Sequence, residues 1–128
     1  MPSWAEVQDY VRKQYKLHED NDDSFKLIWE FRNNRFQMIT VTRFTAMDRE
    51  WVEFTSAACR RDEMPAEVAL TKNFQFAVGA LALDGDVYVV RYSAQLATMD
   101  LDELELPLHV VAQTADSIEA EFTRKDDF

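Results

Sequence analysis

The stretch FKLIWEFRNNRFQMITV, residues 25–41, reads as two strands folded back on each other. Phe25, Leu27, Trp29 and Phe31 alternate with Lys26, Ile28, Glu30 and Arg32. That period belongs to a strand with one strongly apolar face. Asn33-Asn34 follows and supplies two residues that tolerate positive φ, as a tight hairpin requires. Arg35 to Phe44 is the return strand, with Phe36 and Met38 on one face and Ile39 and Val41 on the other. The rest of the chain must therefore build on an antiparallel hairpin.

Toward the C-terminus, Thr45 to Arg49 reads as a second turn and Trp51 to Ala58 as a third strand. Val52 and Phe54 point one way there and Trp51 the other. Several strands are apolar on both faces, which predicts a sheet covered at least partly on both sides. Arg60 to Glu63 is a charged break, and Pro65 can open a short helix because its missing N–H costs nothing in a first turn. Met64, Val68 and Leu70 give that helix some apolar surface. Phe74 to Leu83 reads as a strand, with small residues around Gly79 that admit a close neighbour. Asp84-Gly85 signals a hairpin turn, and Val87 to Tyr92 returns.

Asp100 followed by Glu103 predicts a capping box at the start of the last helix. Leu104, Leu108, Val111, Ala115, Ile118 and Phe122 then recur at spacings of four and three, an unbroken apolar stripe. Pro107 should kink this helix or move the start of its regular part to near itself. At the other end, Ser3 and Glu6 can form a capping box, and Trp4, Val7 and Val11, with Tyr10 beside them, line one helical face. Arg12, Lys13 and Lys16 gather where the helix dipole favours cations. His18 to Asp23 is acidic and aperiodic, which predicts a loop, and Arg124 to Phe128 reads as a polar, fraying tail. The predicted order is α-β-β-β-α-β-β-α: an α+β fold, an antiparallel sheet with helices packed on it, as one domain over residues 1–128.

Hydrophobic residues make up 47% of the 128, enough for a core despite 30% charged residues. A net charge of −10 disfavours a nucleic-acid backbone or an anionic lipid surface as the main ligand. It suits solubility and basic or amphipathic protein partners. Cys59 is the single cysteine, so no internal disulfide forms. Met1 to Tyr10 lacks the apolar core of a signal peptide, and no apolar run approaches the roughly 20 residues that span a bilayer. The expected location is cytoplasmic, with no membrane and no nucleic acid among the partners.

Little in the chain carries chemistry. Gly79 and Gly85 are the only glycines, so no phosphate-cradling loop can be built, and no Gly-x-Ser-x-Gly elbow occurs. One cysteine and two distant histidines, His18 and His109, make no metal cluster. Asn21-Asp22-Asp23 lacks the spacing of a calcium loop. Asp84/Asp86 and Asp100 to Glu105 are explained by turn and cap physics. A Cys59–histidine dyad is an alternative that spacing leaves open, against a buried small hydrophobe. No catalytic residue, metal or cofactor is therefore expected. The aromatic residues remain. Most must be core, but Trp4, Trp29, Trp51, Tyr88 and Tyr92 are the candidates for an exposed patch that a protein partner covers.

Phe76-Ala77-Val78-Gly79-Ala80-Leu81-Ala82-Leu83-Asp84-Gly85-Asp86, followed by Val89-Val90-Arg91-Tyr92-Ser93, resembles the final hairpin of the YbjN-type bacterial family. Asp100-Leu101-Asp102-Glu103-Leu104, leading into Val111-Ala112 and Ala115-Asp116, resembles its last helix. The first half matches in layout only. The resemblance implies a type III secretion chaperone-like fold and a homodimer that binds a segment of another protein. It brings no catalytic motif. The expected function is thus a non-enzymatic, chaperone-like adaptor for a partner protein. An immunity or regulatory protein that masks a basic partner by charge mimicry is the first alternative, and a small Cys59-dependent enzyme the second.

Overall fold

A computed structural model describes residues 2–31 and 34–123. Helix α1 covers Trp4–Gln14, and strands β1 to β4 cover Leu17–Asp20, Ser24–Glu30, Phe36–Ala46 and Arg49–Arg60. Helix α2 (Ala66–Gln75), strands β5 (Ala80–Asp84) and β6 (Val87–Gln95), and helix α3 (Glu105–Phe122) complete the chain. The strands form one antiparallel sheet in the order β1-β2-β3-β4-β6-β5.

The hairpin of residues 25–41 forms, with Phe25 opposite Val41 and Trp29 opposite Gln37. Asn34 takes the expected positive φ of 63°, while Asn33 lies outside the described residues, as does the 124–128 tail. The second turn contracts to Met47-Asp48, both left-handed, which brings Ala46 opposite Arg49. Gly85 turns the last hairpin at φ 62°. At Gly79 (φ 81°) a Cβ would lie 3.3 Å from the Arg91 carbonyl, so the close approach read from its neighbours is made by backbone.

The predicted order gains one element. Residues 18–20, read as the start of a loop, join Leu17 in an edge strand that pairs with β2. An edge strand with solvent on its outer side needs no apolar alternation, and charged side chains suit it. Gln8 and Arg12 of α1 fasten it through Asp20, at 2.7 Å each. Helix α2 also runs further than read: Phe74 belongs to its last turn and is 94% exposed, so its apolarity never entered the core pattern. The Ser3/Glu6 capping box forms, whereas Asp100 caps nothing with its side chain. Residues 101–103 make a 3₁₀ turn instead, and α3 begins at Glu105. Pro107 then falls in the first turn, where a missing N–H leaves no bond unmade.

The expectation of cover on both faces needs correction. All three helices gather on one face. Trp4 of α1 stacks on Phe25, α3 buries Leu108, Val111 and Ala115 completely, and α2 joins α3 through Lys72 and Glu121 at 2.9 Å. Under them Phe25, Ile39, Val41, Val52, Phe54 and Val90 have no exposure. The strand alternation explains this. The deepest apolar residues of the central strands, Ile39, Val41, Val52, Phe54 and Val90, all point to this side, and only the weaker alternate set faces outward.

Candidate protein-binding surfaces

The helix-free face carries an apolar belt. Ile28 of β2 stands opposite Met38 of β3, and Val89 of β6 opposite both Ala57 of β4 and Ala82 of β5. The belt thus crosses five neighbouring strands, because the same alternation that sends Leu27, Ile39 and Val90 inward sends these residues out. Ile28 and the adjacent Phe36 are 45% and 44% exposed. Met38, Thr40, Thr55, Ala57, Val87 and Val89 line a shallow hollow of about 440 Å³ in its middle. Threonines and the Glu53–Arg91 ion pair (2.6 Å) separate this belt from a second apolar spot, where Trp51 stacks on Phe44 at 6.3 Å. The Trp51 indole N–H donates to the Ala46 carbonyl at 3.0 Å, which fixes the ring.

The five aromatic candidates scatter. Trp51 alone lies on the helix-free face. Trp4 and Tyr88 are 5% and 3% exposed, so the expectation of partner contact is corrected for them: they are core. Their polar tips are satisfied internally, Trp4 Nε1 on the Asp22 carbonyl and the Tyr88 hydroxyl on the Met64 carbonyl. Trp29 and Tyr92 lie half-buried on the helix-covered side, Trp29 between Tyr15 and His109, Tyr92 against Phe54. Sequence reasoning missed Met38, Ala57 and Val89. Their signal was present in strands that are apolar on both faces, yet alternation alone does not say which face the helices take.

The Cys59 alternative finds no supporting geometry. Cys59 is fully buried on β4, while exposed His18 sits on β1, three strand spacings or about 14 Å across the sheet. His109 packs against Trp29 in a tilted ring contact at 5.5 Å. Burial, then the nearby Glu63 and Glu119 carboxylates, pushes the Cys59 thiol up to about 11, so it is protonated at neutral pH and a poor nucleophile. Because the folded state holds the proton more tightly than the unfolded chain, the contribution to stability is complete below pH 9 and is lost as pH rises toward 11. The loss should reach roughly 2–3 kcal/mol. Comparing unfolding free energies of the parent and Cys59→Ala from pH 8 to 11 isolates it, and parallel curves would contradict it. Among the described residues no group of three or more His, Cys, Asp or Glu could hold a metal, and no helix is long and apolar enough to cross a membrane.

No family model and no curated protein sequence matches the chain. A solved structure does: a chain of the HopA1–SchA chaperone–effector complex superposes with a TM-score of 0.63 at 14% identity, over 88% of this chain and 89% of that one. The fold is therefore the type III secretion chaperone-like α+β fold, an antiparallel sheet with three helices.

Proposed function

We propose that the chain, as one domain over residues 1–128, is a cytoplasmic, non-enzymatic adaptor of the YbjN type that holds a segment of a partner protein. The observation that carries this reading is the apolar belt on a sheet face that the chain's own helices leave bare. Contiguous exposed apolar surface of this kind marks interaction sites. The likeness to a chain of a chaperone–effector complex and the absence of an activated nucleophile at Cys59 support it. A partner segment would cross the belt over Met38, Ala57 and Val89 and use Trp51 as an anchor.

Val89→Lys and Trp51→Ser test this, since each changes the open face and leaves the helix-covered core intact. Each should weaken capture of the native partner by roughly thirtyfold, the size of a hot-spot loss, while the melting temperature moves by only a few degrees. Affinity purification from the native cell, followed by titration of the recovered partner, provides the measurement. Equal binding by parent and both variants would refute the belt as the docking face.

A homodimer completes the proposal. Leu70 and Phe74 stand one turn apart on α2, 70% and 94% exposed, and suit a self-complementary contact. Such an interface would bury on the order of 1,200–2,000 Å². Sedimentation equilibrium at about 20–50 µM, a range that detects even weak dimers, should return twice the 15.0 kDa chain mass for the parent and the chain mass for Leu70→Glu/Phe74→Glu. A parent that stays monomeric excludes the dimer.

A further inference from the structure

A second cleft lies on the opposite side of the molecule, where β6 meets the start of α3. Its apolar lining is Tyr92, Leu106 and His109, and its rim carries Asp102, Glu103 and Glu105. Leu106 is 64% exposed, a large aliphatic side chain held out at the mouth. The His109 ring packs against Trp29, with 5.5 Å between ring centroids. The three carboxylates are exposed and enter no ion pair among the described residues. The helix dipole favours an acid in the first turn of α3, which accounts for Glu105. Asp102 and Glu103 lie in the preceding 3₁₀ turn, before that helix begins. Burial, then the Glu105 charge, raises the Tyr15 phenol, so the negative field extends over the end of α1 as well.

We propose that this cleft seats a basic, amphipathic segment of the partner protein, with an aliphatic or aromatic side chain against Leu106, Tyr92 and His109 and a lysine or arginine among the three carboxylates. The inference rests on the reading of the chain as a protein-binding module and names the chemistry of the segment. Charge complementarity selects the occupant. A rim of three unpaired acids repels an acidic segment and leaves an uncharged one with the apolar contact alone, whereas a cation beside an apolar anchor satisfies both features.

The test uses a short synthetic peptide with leucine and arginine four residues apart, together with versions in which glutamate replaces arginine and alanine replaces leucine. Binding to the full chain is followed by two-dimensional amide NMR and fluorescence anisotropy at low salt. The Leu/Arg peptide should shift the amides of Tyr92, Leu106 and His109, and both altered peptides should bind about tenfold more weakly or worse. Neutralising the rim with Asp102→Asn/Glu103→Gln/Glu105→Gln should weaken the Leu/Arg peptide by about tenfold or more. Removing three exposed charges elsewhere, with Asp48→Asn/Glu67→Gln/Asp86→Asn, should change it less than about twofold. Equal losses in the two triple variants would show general attraction to an acidic protein and overturn the proposal. Shifts confined to Met38, Ala57 and Val89 would overturn it too while leaving the protein-binding reading intact. If neither surface responds to any peptide and the native partner also fails to bind, both readings fall.

Discussion

Val111→Asp should abolish cooperative folding or lower the melting temperature by about 15 °C, judged from a penalty of several kcal/mol and the usual size scaling. Val111 has no solvent exposure and sits at the centre of the α3 stripe, between Leu108 and Ala115, which are equally buried. The stripe packs across β4, β3 and β6, the middle of the sheet. A carboxylate introduced there would be buried with no cation assigned to it, and domains of this size hold a total of about 5–15 kcal/mol in reserve. Gln113→Asp, exposed on the same helix, is the control and should stay within about 2 °C. Far-UV circular dichroism on heating reads both. A Val111→Asp melt as high as that of the control would mean that α3 is not docked on the sheet.

The framework of the fold was legible because it is written in local periodicity. The α3 stripe, the alternation of residues 25–31 and the paired turns at Asn33-Asn34 and Asp84-Gly85 each specify an element without reference to the rest of the chain. Two failures share one cause. Residues 18–20 and Phe74 sit where solvent, not the core, is the neighbour, so their apolar or polar character did not report their backbone state. The choice of sheet face is different in kind. Leu27 and Ile28 are both aliphatic, yet one is 1% and the other 45% exposed. That difference depends on where α1 and α3 lie, which no window of sequence contains.

The candidate site was legible to the same limited degree. Aromatic residues attracted attention because they are large, but large side chains are what a core uses, and Trp4 and Tyr88 went there. The belt of the open face consists of Ile28, Met38, Ala57, Val89 and Ala82, ordinary residues that become a surface only when five strands are set side by side. Long-range pairing also hid the main buried ion pair. Arg35 and Asp116 are 81 residues apart in sequence and 2.7 Å apart in the fold.

That ion pair should be the largest single polar contribution to stability. The Arg35 guanidinium reaches Asp116 through Nε at 2.7 Å and Glu119 at 3.2 Å. The Glu119 side chain has no exposure, and the other two are only 20% and 13% exposed. Both acids lie on one face of α3, so a single arginine ties the second half of that helix to the β2–β3 hairpin. Arg35→Ala would remove the guanidinium from beside two carboxylates that α3 holds largely buried, a change that costs about 3–5 kcal/mol where a buried pair is broken. The residual exposure of Arg35 and Asp116 places the expected loss near the lower end, about 3 kcal/mol. Adding Asp116→Asn to Arg35→Ala should recover about 1 kcal/mol, because an amide can stay largely buried without a counter-charge. The Arg43–Asp23 pair supplies the comparison. Its contact is as short, 2.8 Å, but its side chains are 39% and 67% exposed, so Arg43→Ala should cost only a few tenths of a kcal/mol. Urea titration of the four proteins, parent included, ranks these losses. If Arg35→Ala and Arg43→Ala prove equally mild, burial does not set the strength of the Arg35 cluster, and α3 is held to the sheet by its apolar stripe alone.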